Sequence, residues 1–404
     1  MQSINQKIPL NVFITSILLA LFADTKILNL IVLAAYPFLA GTFMTVMYVF
    51  VVISLFFMGI IYQRHSLLGF SLSHLGICIL CIVWYLFTYI FIGQPSVSIQ
   101  FFGIFTVAAF LIPGIIKIDV RTFLMALMML PSVGMFYLEQ IFLNEILEEG
   151  VVSMGTCYAF LIPVLANLVY LRFFFAKESL KVKTLMLVFA GINFFYLFQM
   201  AMFGSRGPIL CAVLLLICFF IFNINDGSIT IRRGRAFVCF LIAIVVTLFF
   251  VSILKTISNY LEGFDISLNV VDKFLNMDDR GDMSNGRDDI EIVAWKGIGE
   301  SILIGHGTAQ FERNTDIVYP HNFILQLLYD GGFILASLVL IPILKSAIIK
   351  VKRANFEVII CLMFFFFSSV PGALFSGDLW QSGTLWMFFG FVLSKKTPFK
   401  YQKK

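Results

Sequence analysis

SNGRDDIEIVAWKGIGESILIGHGTAQFERNTDIVYPHNFILQLLYDGG, residues Ser284–Gly332, belongs to the one long polar interruption in a chain that is otherwise apolar from end to end. It holds two of the four histidines, an arginine among acids and a cluster of glycines. At His321-Asn322-Phe323 it runs straight back into apolar sequence. What lies on either side decides the class. The 404 residues are 60% hydrophobic and 13% charged, where soluble domains are about 25% charged. Mean hydropathy is +0.97, and phenylalanine alone contributes 48 residues. Apolar runs of roughly 20 residues recur, the length that crosses a bilayer as a helix. A transmembrane barrel would show short alternating segments instead. The expected fold is therefore all-α: a polytopic membrane protein with about 12 transmembrane helices and one large extracytoplasmic loop containing short helices. Residues 1–404 are read as a single integral membrane domain, with the loop 255–322 inserted between spans.

The spans on the C-terminal side are clear, about 323–349, 358–375 and 379–393. On the N-terminal side they fall at about 67–93, 101–116, 123–143, 151–175, 184–203, 208–224 and 237–254. A full-length run at about 43–62 precedes these. Before it, two short runs separated by Asp24-Thr25-Lys26 are read as one net crossing. No cleavable leader stands out ahead of them. All seven cysteines lie inside apolar runs, where they read as small packing residues, Cys78 and Cys81 of the CxxC included.

Basic residues orient the chain. Lys395, Lys396, Lys400, Lys403 and Lys404 place the tail in the cytoplasm. Working back, Lys350-Lys352-Arg353, Arg232-Arg233-Arg235, Lys177-Lys181-Lys183 and Lys117-Arg121 fall on the same side. The long loop then faces outward, and so does the turn Gly204–Gly207. Between Ser258 and His321 stand 12 acids and five basic residues, most of them ordinary solvated charges. From Arg287 to Ser301, however, Ile290, Val293, Ala294, Gly297, Ile298 and Ser301 recur at helical spacing, which predicts a short amphipathic helix.

Arg206 is the most informative residue. It sits in Gly204-Ser205-Arg206-Gly207-Pro208, between two spans with no other charge for about twenty residues on either side. At a helix centre an arginine costs about 2.5–3.5 kcal/mol on insertion scales, so it calls for a function or for snorkelling to the headgroups. The glycines and Pro208 favour a broken helix with free N–H donors, and a guanidinium beside such amides is an anion site. In a membrane the natural anion is a lipid phosphate. Arg287 is a second anion ligand, against the alternative of a surface ion pair with Asp288 or Glu291. His321, between Pro320 and Asn322 where the loop rejoins the membrane, can take a proton from a hydroxyl. His306, in Gly305-His306-Gly307, reads first as part of a tight turn. Asp278-Asp279-Arg280-Gly281-Asp282 spells a pyrophosphate–Mg²⁺ motif, but in a loop-like setting that disfavours metal binding. No phosphate-binding loop, zinc-protease or serine-hydrolase motif is present.

Ser205-Arg206-Gly207, then Gly286-Arg287 through Gly305-His306-Gly307, then His321-Asn322 through Gly331 together resemble the bacterial O-antigen ligase and polysaccharide polymerase family. The resemblance covers about residues 203–332 and the overall topology. It implies a metal-independent polyprenyl-pyrophosphate-dependent glycosyltransferase of the bacterial cytoplasmic membrane, active on its extracytoplasmic side and needing no cofactor or metal. The donor would be a polyprenyl-pyrophosphate-linked oligosaccharide and the acceptor a glycan hydroxyl. The product would be O-antigen, capsule or exopolysaccharide. Carried over to this chain, Arg206 and Arg287 hold the donor pyrophosphate, and His321 orients or deprotonates the acceptor. Ser205, Gly207, His306 and Asn322 line the substrate. Membrane lipid, a flippase and a chain-length regulator are the expected companions; nucleic acid is not. The motifs do not separate polymerase from ligase, and the reading leans to polymerase. The competing class is a transporter, a flippase for the same lipid-linked oligosaccharide. That would call for charges along the interior and no long outer loop, the reverse of this chain.

Overall fold

A computed structural model of the chain describes residues 8–35, 40–62, 69–149, 152–204, 206–225, 228–263, 271, 275 and 286–396. The all-α, polytopic expectation holds. Among the described residues, five helices are long and apolar enough to cross a membrane: Leu72–Ile92, Met154–Phe173, Leu180–Phe203, Phe323–Lys352 and Phe356–Phe375. The number rises to eight if three bent pairs each count as one span. Four shorter apolar helices accompany them, Thr45–Ile61, Ile99–Ile115, Arg206–Ile221 and Gly383–Leu393. The bends have local causes. Leu10–Ala23 ends ahead of buried Asp24, after which Thr25–Ala35 begins a separate helix. Val120–Val133 meets Met135–Leu147 at 63°, after Pro131 removes a helix donor. At that second joint Gly134 lets Ile31 approach to where a Cβ would stand 2.3 Å from its side chain.

One compact unit comprises residues 1–23, 45–123 and 287–404. Its core is the 11-residue helix Gly383–Leu393, of which Leu385 through Leu393 are all buried. A helix this short can be enclosed completely by longer neighbours. Gly390 allows the close approach of Ile99–Ile115, since a Cβ there would lie 2.1 Å from the Phe110 carbonyl. Aromatic rings fill the remainder: Trp380 stacks on Trp386 at 5.9 Å, and Phe110 meets Trp386 edge-on at 5.6 Å. Two buried donors here find carbonyl partners, as an apolar interior favours. Thr106 Oγ1 donates to the Trp380 carbonyl (2.7 Å), and Trp386 Nε1 donates to the Leu379 carbonyl (2.8 Å).

The second unit comprises residues 24–44 and 124–286. It packs around Met154–Phe173, most of whose residues are buried. Phe160 stacks on Tyr196 at 4.1 Å, and Asn193 Nδ2 donates to the Met128 carbonyl at 3.1 Å. This unit also carries a departure from all-helix. Phe222–Asn225 and Ser228–Ile231 pair as an antiparallel hairpin, with Phe222 opposite Ile231 and Asn225 opposite Ser228. The intervening Asp226-Gly227 is a preferred hairpin pair. The span expected at 237–254 belongs to a longer helix, Arg233–Glu262, interrupted at Phe249.

Candidate active site

The helix expected over 287–301 runs from Arg287 to Glu300. Gly286 at φ 75° turns the chain into it. Asp288 and Asp289 sit in its first turn, where carboxylates offset the positive end of the helix dipole. The predicted apolar face is the packed one: Ala294, Gly297 and Ile298 are buried. At Gly297 the ring of Tyr329 comes so close that a Cβ would lie 2.2 Å from it. Arg287 is half-buried at the first position, and its guanidinium donates to Ser376 Oγ at 3.3 Å.

His321 reaches the same place by a different route. It stands between buried Pro320 and Asn322. Asn322 caps the helix Phe323–Lys352, its Oδ1 accepting from the N–H groups of Ile324 (3.0 Å) and Leu325 (3.3 Å). His321 itself turns the chain at φ 53°, a left-handed conformation that strained functional residues often hold. Its ring meets Tyr319 edge-on at 4.6 Å. Nδ1 is buried and has no hydrogen-bond partner among the described residues. Burial, and secondly the positive charge of Arg287, push the His321 pKa below its ordinary value. Such a ring stays neutral and able to accept a proton.

Two further groups join them from the connection between Phe356–Phe375 and Gly383–Leu393. Besides Ser376 it brings Asp378, whose Oδ1 accepts from Gln326 Nε2 (3.0 Å) and from the Trp380 N–H (2.8 Å). Burial raises the Asp378 pKa, and its hydrogen bonds oppose that. Burial also raises the Tyr319 hydroxyl; Asp378 adds to the shift and Arg287 offsets it. Arg287, Tyr319, His321, Ser376 and Asp378 thus form one polar cluster. The sequence reading had named Arg287, His321 and Asn322; it missed Tyr319, Gln326, Ser376 and Asp378. For Asp378 a signal existed: it is the one charged residue between Glu357 and Lys395.

The His306 ring is engaged with the fold: Nε2 pairs with the Gly297 carbonyl at 2.8 Å, and the ring stacks on Tyr329 at 4.5 Å. Arg206 and Gly207 belong to the second unit. There half-buried Arg206 opens the helix Arg206–Ile221, and Tyr158 presses against Gly207, where a Cβ would lie 2.2 Å from its hydroxyl. Ser205 and the stretch Asp278–Asp282 lie outside the described residues.

The segment after the Arg287–Glu300 helix is bound to the long helix where that helix breaks. Gly332, at φ 60° and ψ −172°, interrupts Phe323–Lys352. Along the break, the Phe333 N–H donates to the Ile302 carbonyl (2.9 Å) and the Ile334 N–H to the Leu303 carbonyl (3.1 Å). In the other direction His306 and Gly307 donate to the carbonyls of Tyr329 (2.9 Å) and Asp330 (2.8 Å). Backbone groups freed by the break are thereby satisfied.

Residues 191–340 match the family profile of the O-antigen ligases. The matched stretch takes in Arg206, Arg287, His306, His321 and the helix break. This match supports assignment to the O-antigen ligase and polysaccharide polymerase family. Together with the apolar helices it supports a multi-pass membrane protein with a glycan ligase or polymerase role in surface polysaccharide biosynthesis, the family implying lipid-linked oligosaccharide and glycan substrates. No curated protein matches the chain.

Proposed function

We propose that the protein transfers the glycan of a polyprenyl-pyrophosphate-linked oligosaccharide to a sugar hydroxyl, at the outer face of the bacterial cytoplasmic membrane and without a metal ion. The observation that carries this is the polar cluster holding Arg287 and His321: a guanidinium in the same cluster as an imidazole whose buried Nδ1 has no hydrogen-bond partner among the described residues, and whose pKa burial and that guanidinium push down. A permanent cation suits a leaving pyrophosphate, and a neutral ring suits the hydroxyl that attacks. In the step, the acceptor oxygen bonds to the anomeric carbon and its proton passes to His321. The bond from that carbon to the pyrophosphate oxygen breaks, and the electron pair leaves on pyrophosphate. Arg287 and Arg206 offset the charge that develops there, a preorganised electrostatic contribution. Ser205, Gly207, His306 and Asn322 are the further substrate-binding residues of this proposal.

Topology fits this assignment if each bent pair and each shorter apolar helix makes one crossing, which gives the twelve spans counted along the sequence. The basic tail is then cytoplasmic and the segment 255–322 is extracytoplasmic. A flippase and a chain-length regulator would act beside it. The discriminating experiment supplies purified protein with a synthetic lipid-linked repeat unit and no added metal. A ladder of longer lipid-linked products means polymerase; one transfer to a different acceptor means ligase. Transfer that needs a divalent metal, or export without transfer, refutes the proposal.

A further inference from the structure

The broken helix Phe323–Lys352 carries an acid that this chemistry leaves unused. Asp330 is fully buried just ahead of the break. Its carboxylate Oδ2 accepts from two donors, the Ala309 N–H at 3.0 Å and the Trp380 indole N–H at 2.5 Å. Its Oδ1 is buried without a hydrogen-bond partner among the described residues. Its backbone carbonyl accepts from the Gly307 N–H (2.8 Å) and from Trp84 Nε1 (3.2 Å). A single residue therefore ties together the Gly307–Ala309 turn, the helix Leu72–Ile92 and the connection that follows Phe375.

That connection is the one that reaches the polar cluster. Ser376 Oγ accepts from Arg287. Asp378 accepts from the Trp380 N–H and from Gln326, and Gln326 Oε1 accepts in turn from the Leu379 N–H at 2.7 Å. Gln326 and Asp330 are one helical turn apart, so both grip the connection from the same face of one rigid element. The Trp380 side chain is wholly buried, and a buried indole N–H left without an acceptor is costly. Its only acceptor among the described hydrogen bonds is Asp330.

We propose that Asp330 is a positioning residue for glycan transfer: by holding the Trp380 indole it fixes the Ser376–Trp380 connection, and with it the placement of Ser376 and Asp378 against Arg287 and Tyr319. The inference rests on the glycosyltransferase reading for its effect on rate, but not for its effect on the connection itself. It separates cleanly from the other use of a buried acid, proton transfer. Both bonds fall on one carboxylate oxygen, so the amide oxygen of asparagine in that place keeps them. A group that carried a proton would be lost on the same change.

The test uses the full chain in lipid nanodiscs, with Asp330→Asn, Asp330→Ala and Trp380→Phe. Transfer from the synthetic lipid-linked donor is measured over a range of donor concentrations, together with hydrogen exchange of the peptide over residues 376–382. Asp330→Asn keeps both near wild type. Asp330→Ala and Trp380→Phe lower kcat about 100-fold, as a misplacement near 1 Å does, with donor KM little changed and faster exchange over 376–382. Trp380→Phe removes the donor alone and carries the test if Asp330→Ala fails to fold. An Asp330→Asn variant as inactive as Asp330→Ala, with exchange unchanged, overturns the proposal in favour of a proton-transfer role. So does unchanged exchange in both Asp330→Ala and Trp380→Phe. A wild-type protein that transfers nothing refutes the glycosyltransferase reading, and the exchange comparison still decides whether Asp330 holds the connection.

Discussion

Replacing Gly332 by alanine tests whether the break in Phe323–Lys352 is built into the fold. The backbone there sits at φ 60° and ψ −172°, a region closed to residues with a side chain at a cost of about 1–3 kcal/mol. Space is a second obstacle. A Cβ would lie 2.3 Å from the carbonyl carbon and oxygen of Leu303 and 2.5 Å from the Ile304 nitrogen. These are backbone atoms, which cannot rotate aside. The 302–304 segment must therefore retreat by about an ångström, straining the bonds from Phe333 to Ile302 and from Ile334 to Leu303, each worth about 1 kcal/mol. The expected loss is about 3–5 kcal/mol in total. Thermal unfolding in detergent should fall by several degrees, and a displacement of that size near the substrate should cut transfer about 100-fold. Gly76→Ala is the matched control: it lies exposed within Leu72–Phe87 with nothing within 4 Å of its Cβ, and alanine favours a helix there by up to about 1 kcal/mol. Equal stability of the two variants would refute the reasoning.

Three other outcomes follow from the same geometry. His321 has a lowered pKa, so its neutral form persists as pH falls below the usual histidine value. The acid limb of the transfer-rate profile should lie on the acid side of that value, and Arg287→Gln should move it upward part of the way, because burial, the larger cause, remains. A limb that does not move separates the two residues. Arg287→Gln should also lower kcat at neutral pH by about 100- to 1000-fold, the effect of losing one preorganised donor, as read in single-turnover assays. Asn322→Ala removes the cap of the long helix and should cost about 1 kcal/mol of stability, measured by thermal unfolding; asparagine-to-aspartate should restore it.

How much of this was legible beforehand depended on the range of the signal. The apolar runs are local, and they gave the helices directly. So did the spacing of Ile290, Val293, Ala294, Gly297, Ile298 and Ser301, which placed a helix over 287–301, one residue past its observed end at Glu300, with its packed face at Ala294, Gly297 and Ile298. Arg287 and His321 stood out because each breaks a local pattern. The break at Gly332 was hidden because Gly331-Gly332 lies inside a run of sequence apolar enough to be one helix, and only the backbone of 302–307 reveals why the helix is interrupted. Likewise 123–143 reads as a single span, although Pro131 and Gly134 bend it. The Phe222–Ile231 hairpin was passed over in favour of the spans on either side. Tyr319, Ser376 and Asp378 meet Arg287 from segments up to ninety residues distant, and no periodicity carries such contacts. The DDRGD stretch and Ser205 fall outside the described residues, and the sequence alone speaks for them.

The most direct measurement is transfer itself. Wild-type protein, Arg206→Ala, Arg287→Ala and His321→Ala are each incubated with a synthetic polyprenyl-pyrophosphate-linked repeat unit and an acceptor, in chelator and without added metal. The account predicts lipid-linked products of greater length, or a single glycosylated acceptor, from the wild type alone, with free polyprenyl pyrophosphate released in step. Full transfer by all three variants, or none by a folded wild type, would contradict it.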